Sequence, residues 1–148
     1  MLQNDFFTII SRSPEGDSVG GVETGQVTEG GLRSGELREG VKHSFKVNLA
    51  INAGHAIFEG HFPGQPVVPG ACLMQMVMEV TETILGRQLR LRKADQLKFI
   101  AMIDPNVHNI LEMLLSIQIK EEDGIVVSAD LLNKSSICFR FNGLLLQA

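Results

Sequence analysis

Residues 69–86 read PGACLMQMVMEVTETILG. A proline near the start and a glycine at the end are the punctuation of a helix, one presetting φ and the other permitting the stop. The first half, ACLMQMVM, is apolar almost all round, and such a helix is buried on nearly every side. Two polar side chains interrupt it, Gln75 and Glu79. They are four residues apart and share one helical face. The stretch predicts one long buried helix over 69–86.

Working outward, the flanks alternate apolar and polar residues with the period of strands. SFKVNLAI (44–51) precedes the helix. After it come LRLRKADQLKFIAMI (89–103), expected to bulge near Ala94, then NILEMLLSIQIK (109–120), IVVSADLL (125–132) and SICFRFNGLLL (136–146). The turn signals DPN, EEDG and NKSS separate these last strands. At the start, a possible helical turn at Gln3–Phe6 runs into the strand-like FTIIS (7–11). Residues 52–68 hold prolines and glycines and read as a structured loop. One helix cannot shield so many strands on both faces. The economical solution is a single α+β domain over 1–148, with a curved antiparallel sheet of about six strands wrapped around the helix.

One segment stands apart. Gly20, Gly25, Gly30, Gly35 and Gly40 recur five residues apart, with Val22, Val27, Leu32 and Leu37 in register between them. Four such short units make about one solenoid coil, with no neighbouring coil to bury its apolar face. The pentads at about 17–40 therefore read as a flexible insertion joining two strands.

The bulk numbers narrow the function. The net charge of −4 over 148 residues argues against nucleic acid, which needs a basic surface. There is no Trp or Tyr, which disfavours stacking platforms for bases or sugars. Cys72 and Cys138 make no metal-ligand spacing, and no metal site is expected. His55 lacks a nearby acid pair, and with His43 and His108 reads as a turn or surface histidine. MLQNDFFTIISR has no basic leader, and no apolar run reaches spanning length, so the expected setting is the cytoplasm, with no membrane span.

The chemistry concentrates in GHFPG (60–64) and the helix start at Pro69-Gly70. Glycines let this loop turn tightly and prolines stiffen it, so His61 can be held in one orientation. Histidine supplies a neutral base near neutral pH. The first turn of a helix offers free N–H groups and a partial positive charge, and Gly70 has no side chain to block approach. A base beside a polarised carbonyl can remove a proton alpha to that carbonyl, or direct water onto it. Cys72, Met74, Met76 and Met78 supply soft surface able to line a channel for an aliphatic chain, although methionines on a buried helix commonly serve as core filler.

GHFPGQPVVPGACLMQ closely resembles the active-site segment of the 3-hydroxyacyl-(acyl-carrier-protein) dehydratases of fatty acid synthesis. Histidine, loop prolines, helix-start Pro-Gly and their spacing all match. Weaker similarity runs from NDFFTII through KADQLKFIAMIDP to the last strands, and leaves the Gly-rich segment outside. The resemblance implies the hotdog fold. It also implies a dimer, or an oligomer built from dimers, whose sites combine His61 of one chain with the helix of the other. It assigns the Val67 carbonyl to orienting His61 and the Gly70 N–H to the thioester oxygen; Phe62, with Cys72, Met74 and Met78 of the apolar helix, is expected around the substrate. No cofactor is implied, since the substrate arrives on the phosphopantetheine arm of acyl carrier protein. That carrier is acidic, which suggests a docking role for Arg87, Arg90, Arg92 and Lys93, against the blander reading of a solvated strand face.

One departure matters. Where the family has an acid, fourteen positions after the histidine, this chain has Gln75. Many family members carry the acid there and Gln at the position of Glu79, so this sequence resembles an exchange of the two. The implied reaction is dehydration of a 3-hydroxyacyl thioester to the trans-2-enoyl thioester by His61, the hydroxyl leaving with help from Gln75, from Glu79 or from the imidazolium returning its proton. The alternative for Glu79 is a buried carboxyl satisfied by a structural partner. The alternatives for the whole chain are a thioesterase of the same fold, and a non-catalytic acyl-thioester binder or heterodimer partner.

Overall fold

The computed structural model describes residues 2–18 and 37–148. The pentad insertion expected at 17–40 lies largely outside the described residues. Two α-helices and six strands follow in chain order among the described residues: β1 (Phe7–Ser18), β2 (Lys42–Ile51), a short α1 (Ile57–Gly60), α2 (Gly70–Leu85), β3 (Leu89–Phe99), β4 (Ile110–Ile119), β5 (Gly124–Asn133) and β6 (Ser136–Gln147), with a 3-10 turn at Glu121–Asp123 between β4 and β5.

The strands form one six-stranded antiparallel sheet in the order β1-β2-β4-β5-β6-β3. Alternation in the sequence becomes alternation in burial. Along β4, Leu111, Met113, Leu115 and Ile117 are buried while Glu112, Leu114, Ser116 and Gln118 are half-buried on the other face. The inward residues of β2, β4, β5 and β6 form one core with α2. Burying each large apolar side chain contributes roughly 1.5–3 kcal/mol, which is why the period-two pattern dictates which face turns inward.

Helix α2 starts and stops where its sequence says. Pro69 is the N-cap, and Gly86 closes the helix at φ 69, with its N–H on Glu82 O at 2.8 Å. That left-handed position suits glycine. The burial is less complete than the apolar first half predicts. Cys72, Leu73, Met76 and Val77 are buried, but Ala71 and Gln75 are exposed and Met74 is half-buried. One stripe of the helix lacks cover among the described residues.

Strand β3 shows the same incompleteness. It is an edge strand, bulged between Leu91 and Lys93 and between Ala94 and Gln96, and it ends at Phe99 rather than at 103. Leu91, Leu97 and Phe99 pair with the buried Leu145, Phe141 and Phe139, so they face the helix side of the sheet. They are nevertheless 42%, 44% and 53% exposed. An edge with open backbone and open apolar side chains is a ready template for pairing with another strand.

Smaller corrections concern the flanks. β1 extends past the expected FTIIS to Ser18, and the loop after β2 contains α1. His43, expected at a turn or the surface, is buried on β2, where its Nε2 accepts the Arg38 N–H at 3.2 Å. No helix among the described residues is long and apolar enough to cross a membrane.

Candidate active site

The loop carrying His61 is braced by hydrogen bonds of its own. Val67 N–H donates to His61 O at 3.0 Å, and Phe62 and Gln65 exchange backbone bonds at 3.1 and 3.0 Å. Gly64 takes φ 74, the left-handed turn position that glycine occupies without strain. The loop is tied to the sheet side by Val68 N–H on Ile103 O, 2.9 Å. A small rigid hairpin results, with His61 at one end and Val67 at the other.

His61 Nδ1 lies 3.0 Å from Val67 O. A carbonyl oxygen only accepts, so Nδ1 carries the proton. In the neutral ring Nε2 is then left with a free lone pair, and it is the basic atom. Phe62 stacks on the imidazole at 4.2 Å between centroids and 25° between planes, which restrains the ring in its plane. His61 is half-buried, so the base remains accessible.

Helix α2 begins immediately beyond. Cys72 and Leu73 turn their N–H groups back to Pro69 O at 3.0 and 3.3 Å. Pro69 offers no side-chain cap. Among the described residues none accepts a hydrogen bond from the Gly70 N–H. Gly70 is closely covered on one side: a Cβ placed there would lie 2.6 Å from Phe99 Cε1 and 2.7 Å from Cζ. Any larger residue there would have to push the ring aside.

The remaining predicted residues divide in two. Gln75 stands exposed on the uncovered stripe of α2, with Met74 half-buried beside it. Cys72 and Met78 are buried, and burial pushes the Cys72 thiol above its ordinary range, so it stays a protonated, apolar filler rather than a nucleophile. Arg90 and Lys93 sit opposite Leu146 and Leu144, on the outer face of the sheet, with Lys93 paired to Asp95 at 3.2 Å.

Glu79 is occupied elsewhere. It is 3% exposed. Its Oε1 and Oε2 accept the Leu2 N–H at 2.8 and 2.9 Å, and Oε1 also accepts the Gln3 N–H at 2.9 Å. Thr83 on the next turn donates to Gln3 Oε1 at 2.9 Å. Of the two readings of this carboxyl, the geometry carries the structural one: Glu79 latches the N-terminal segment onto α2. Nothing in the sequence signalled a partner 77 residues away. Glu79→Ala leaves two backbone donors without their acceptor, at a cost of about 1–3 kcal/mol each. Glu79→Gln, which keeps one acceptor oxygen, should cost less. Urea unfolding checks both, and turnover lost without loss of stability would return Glu79 to the chemistry.

The other end of the same segment is also held. Asn52 Nδ2 donates to Asp5 O at 3.0 Å, and Asn52 N–H donates to Phe6 O at 2.8 Å. His55 Nε2 meets Asp5 Oδ2 at 3.1 Å while its Nδ1 accepts the Ile57 N–H at 3.1 Å. His55 therefore braces a loop rather than serving the site. Among the described residues no group of three or more His, Cys, Asp or Glu is placed to hold a metal ion.

A loop histidine with a free Nε2, an open helix start and an unfinished helix stripe form a partial site. The family model described as ApeI-like, ApeI dehydratase, matches residues 38–131, more than half of the chain. The protein belongs to the ApeI-like dehydratase family. Two curated relatives are 3-hydroxyacyl-[acyl-carrier-protein] dehydratases FabZ. That of Ruegeria sp. (strain TM1040) is 33% identical over 57 residues, covering 38% of this chain and 34% of the relative. That of Shewanella woodyi (strain ATCC 51908 / MS32) is 34% identical over 62 residues, covering 42% and 39%. The matched region thus spans between a third and two fifths of those enzymes. Among solved structures, the dehydratase heterocomplex ApeI:P from Xenorhabdus doucetiae superposes with a TM-score of 0.52 at 23% identity, over 70% of this chain and 88% of that one. An uncharacterized protein from Erwinia carotovora subsp. atroseptica does so with 0.53 at 17% identity, over 94% and 97%. These likenesses establish the hotdog fold for this ApeI-like chain.

Proposed function

We propose that this ApeI-like protein dehydrates 3-hydroxyacyl thioesters to trans-2-enoyl thioesters, acting on acyl chains borne by acyl carrier protein. The observation that carries the reading is the His61 Nδ1–Val67 O bond, which leaves Nε2 as the base beside an unblocked helix start. The substrate's thioester oxygen accepts the Gly70 N–H, where the helix dipole favours the developing negative charge. Nε2 takes the α-proton, the C–H electrons form the new α,β double bond, and the β-carbon–oxygen bond breaks. The leaving hydroxyl takes the proton back from the imidazolium and departs as water. Gln75 donates a hydrogen bond to that oxygen but supplies no proton. The scheme needs no redox cofactor, because no electrons leave the substrate, and it assigns the polarising of the carbonyl to the Gly70 N–H rather than to a metal. The carrier as partner is supported by the names of the two FabZ relatives, and a cytoplasmic setting accompanies it.

A homodimer accompanies this reading. The open stripe of α2 and the apolar edge β3 are both uncovered among the described residues, and in the proposed dimer a second copy pairing at β3 brings Gln75 of one chain toward His61 of the other. The test is a single-turnover assay of the purified protein with a 3-hydroxyacyl thioester on carrier protein. An enoyl product supports dehydration. A free thiol indicates a thioesterase. Neither product, with retained binding, indicates a non-catalytic acyl binder.

Gln75 supplies the next prediction. General acid catalysis is worth ~10²–10⁴-fold, so Gln75→Glu should raise turnover at least ~10-fold over the natural chain. An unchanged rate means that the hydroxyl leaves without help from position 75.

A further inference from the structure

Phe99 was not singled out by its sequence, yet it is the residue that shapes the space at the helix start. Its ring edge presses on Gly70 so closely that a Cβ there would sit 2.6 Å from it. The ring cannot retreat inward. Behind it stands the fully buried Phe139, 5.1 Å away between centroids, and Phe99 pairs with Phe139 in the β3–β6 register. The next residue is pinned as well, with Ile100 N–H on Cys138 O at 2.8 Å. The remainder of the ring is open, the residue being 53% exposed. The result is an aromatic wall, backed by Phe139 on one side and free on the other, beside the proposed carbonyl-binding N–H.

The chemistry puts the substrate's α-carbon next to that wall. A carbonyl oxygen bonded to the Gly70 N–H lies about 2.9 Å from the nitrogen. Two covalent bonds of roughly 1.2 and 1.5 Å then bring the α-carbon within about 5 Å of the same atom. One α-hydrogen must point at His61 Nε2. The other substituent has to share the space bounded by Phe99. A hydrogen fits there easily, but a methyl group needs about 4 Å of clearance from ring carbons.

We propose that Phe99 is a specificity-determining residue that restricts this site to thioesters unbranched at the α-carbon. The inference rests on the dehydratase reading for its chemistry, but its test need not. Octanoyl- and 2-methyloctanoyl-pantetheine amides, which cannot react, are titrated by calorimetry against the natural protein, Phe99→Ala and Phe99→Leu. In parallel, 3-hydroxyoctanoyl and 2-methyl-3-hydroxyoctanoyl pantetheine thioesters are compared by kcat/KM. The natural protein should prefer the unbranched amide, and both variants should lose that preference roughly tenfold, the range expected when one methyl group gains or loses room. Phe99→Leu keeps the apolar contact with Phe139, so a folding defect in Phe99→Ala alone does not decide the outcome. A preference ratio moved by about threefold or more in either folded variant supports the proposal, and a smaller change in both overturns it. If neither thioester is dehydrated, the dehydratase reading fails while the amide ratio still judges Phe99. If both are dehydrated and the ratio is unmoved, only the assignment of Phe99 fails.

Discussion

His61→Ala reduces the single-turnover rate of enoyl formation by at least ~10³-fold while the protein stays folded. The size follows from what is removed. A positioned acid–base group contributes typically ~10²–10⁴-fold, and in the proposed reaction the same imidazole both accepts the α-proton and returns one to the hydroxyl. Gln75 cannot substitute, since an amide has no proton to give near neutral pH. Glu79 cannot substitute either while its oxygens hold the Leu2 and Gln3 N–H groups. The fold should survive because His61 is half-buried in a loop whose backbone bonds, Val67 N–H to His61 O and Val68 N–H to Ile103 O, do not use the side chain. A residual rate within ~10-fold of the natural chain would mean that another group takes the α-proton. His61→Gln adds a check, since it keeps a polar side chain near Val67 O without a basic atom.

The second large effect is on stability. Gly143→Val should destabilise the protein by about 2–3 kcal/mol, lowering the melting temperature by roughly 5–10 °C. A Cβ at Gly143 would lie 2.5 Å from Phe141 Cζ and 2.6 Å from the Lys93 carbonyl oxygen. The ring could shift at some cost, but the carbonyl belongs to β3, so the strand itself must move. Gly143 pairs with Ala94 between the two bulges of β3, where the edge strand is least regular. Displacing β3 opens the face that the proposed dimer uses. Sedimentation should therefore show more monomer in Gly143→Val than in the natural chain, in addition to the lower melting temperature. An unchanged melting temperature would mean that β3 sits more loosely on β6 than this packing allows.

Several features were legible before any coordinates. The helix bounds were written in Pro69 and Gly86, because presetting φ and tolerating a left-handed stop are local properties of those residues. The strands were written in the period-two alternation, and even the bulge near Ala94 showed where that alternation lapsed. The site loop was also local: six residues separate His61 from Val67, and the bond between them needs nothing from the rest of the chain. The family motif covers this same local stretch, which is why the sequence could point to it.

What the sequence could not show was every relation between distant residues. Gln75 and Glu79 looked equivalent, two polar groups one turn apart. Only the tertiary structure separates them, leaving Gln75 exposed on the open stripe and burying Glu79 under backbone N–H groups from the chain's start. Phe99 looked like one more strand residue until the sheet carried it onto Gly70. The apolar first half of α2 suggested burial all round, but hydrophobicity says only that a face avoids water, not whether its cover comes from the same chain or a second copy. Local chemistry thus determined the helix, the strands and the loop that holds His61 by itself. The packing of residues far apart in sequence decided that Glu79 holds the N-terminal segment, that Phe99 lies against Gly70 and which apolar side chains stay exposed, because those depend on the path of the whole sheet around one helix.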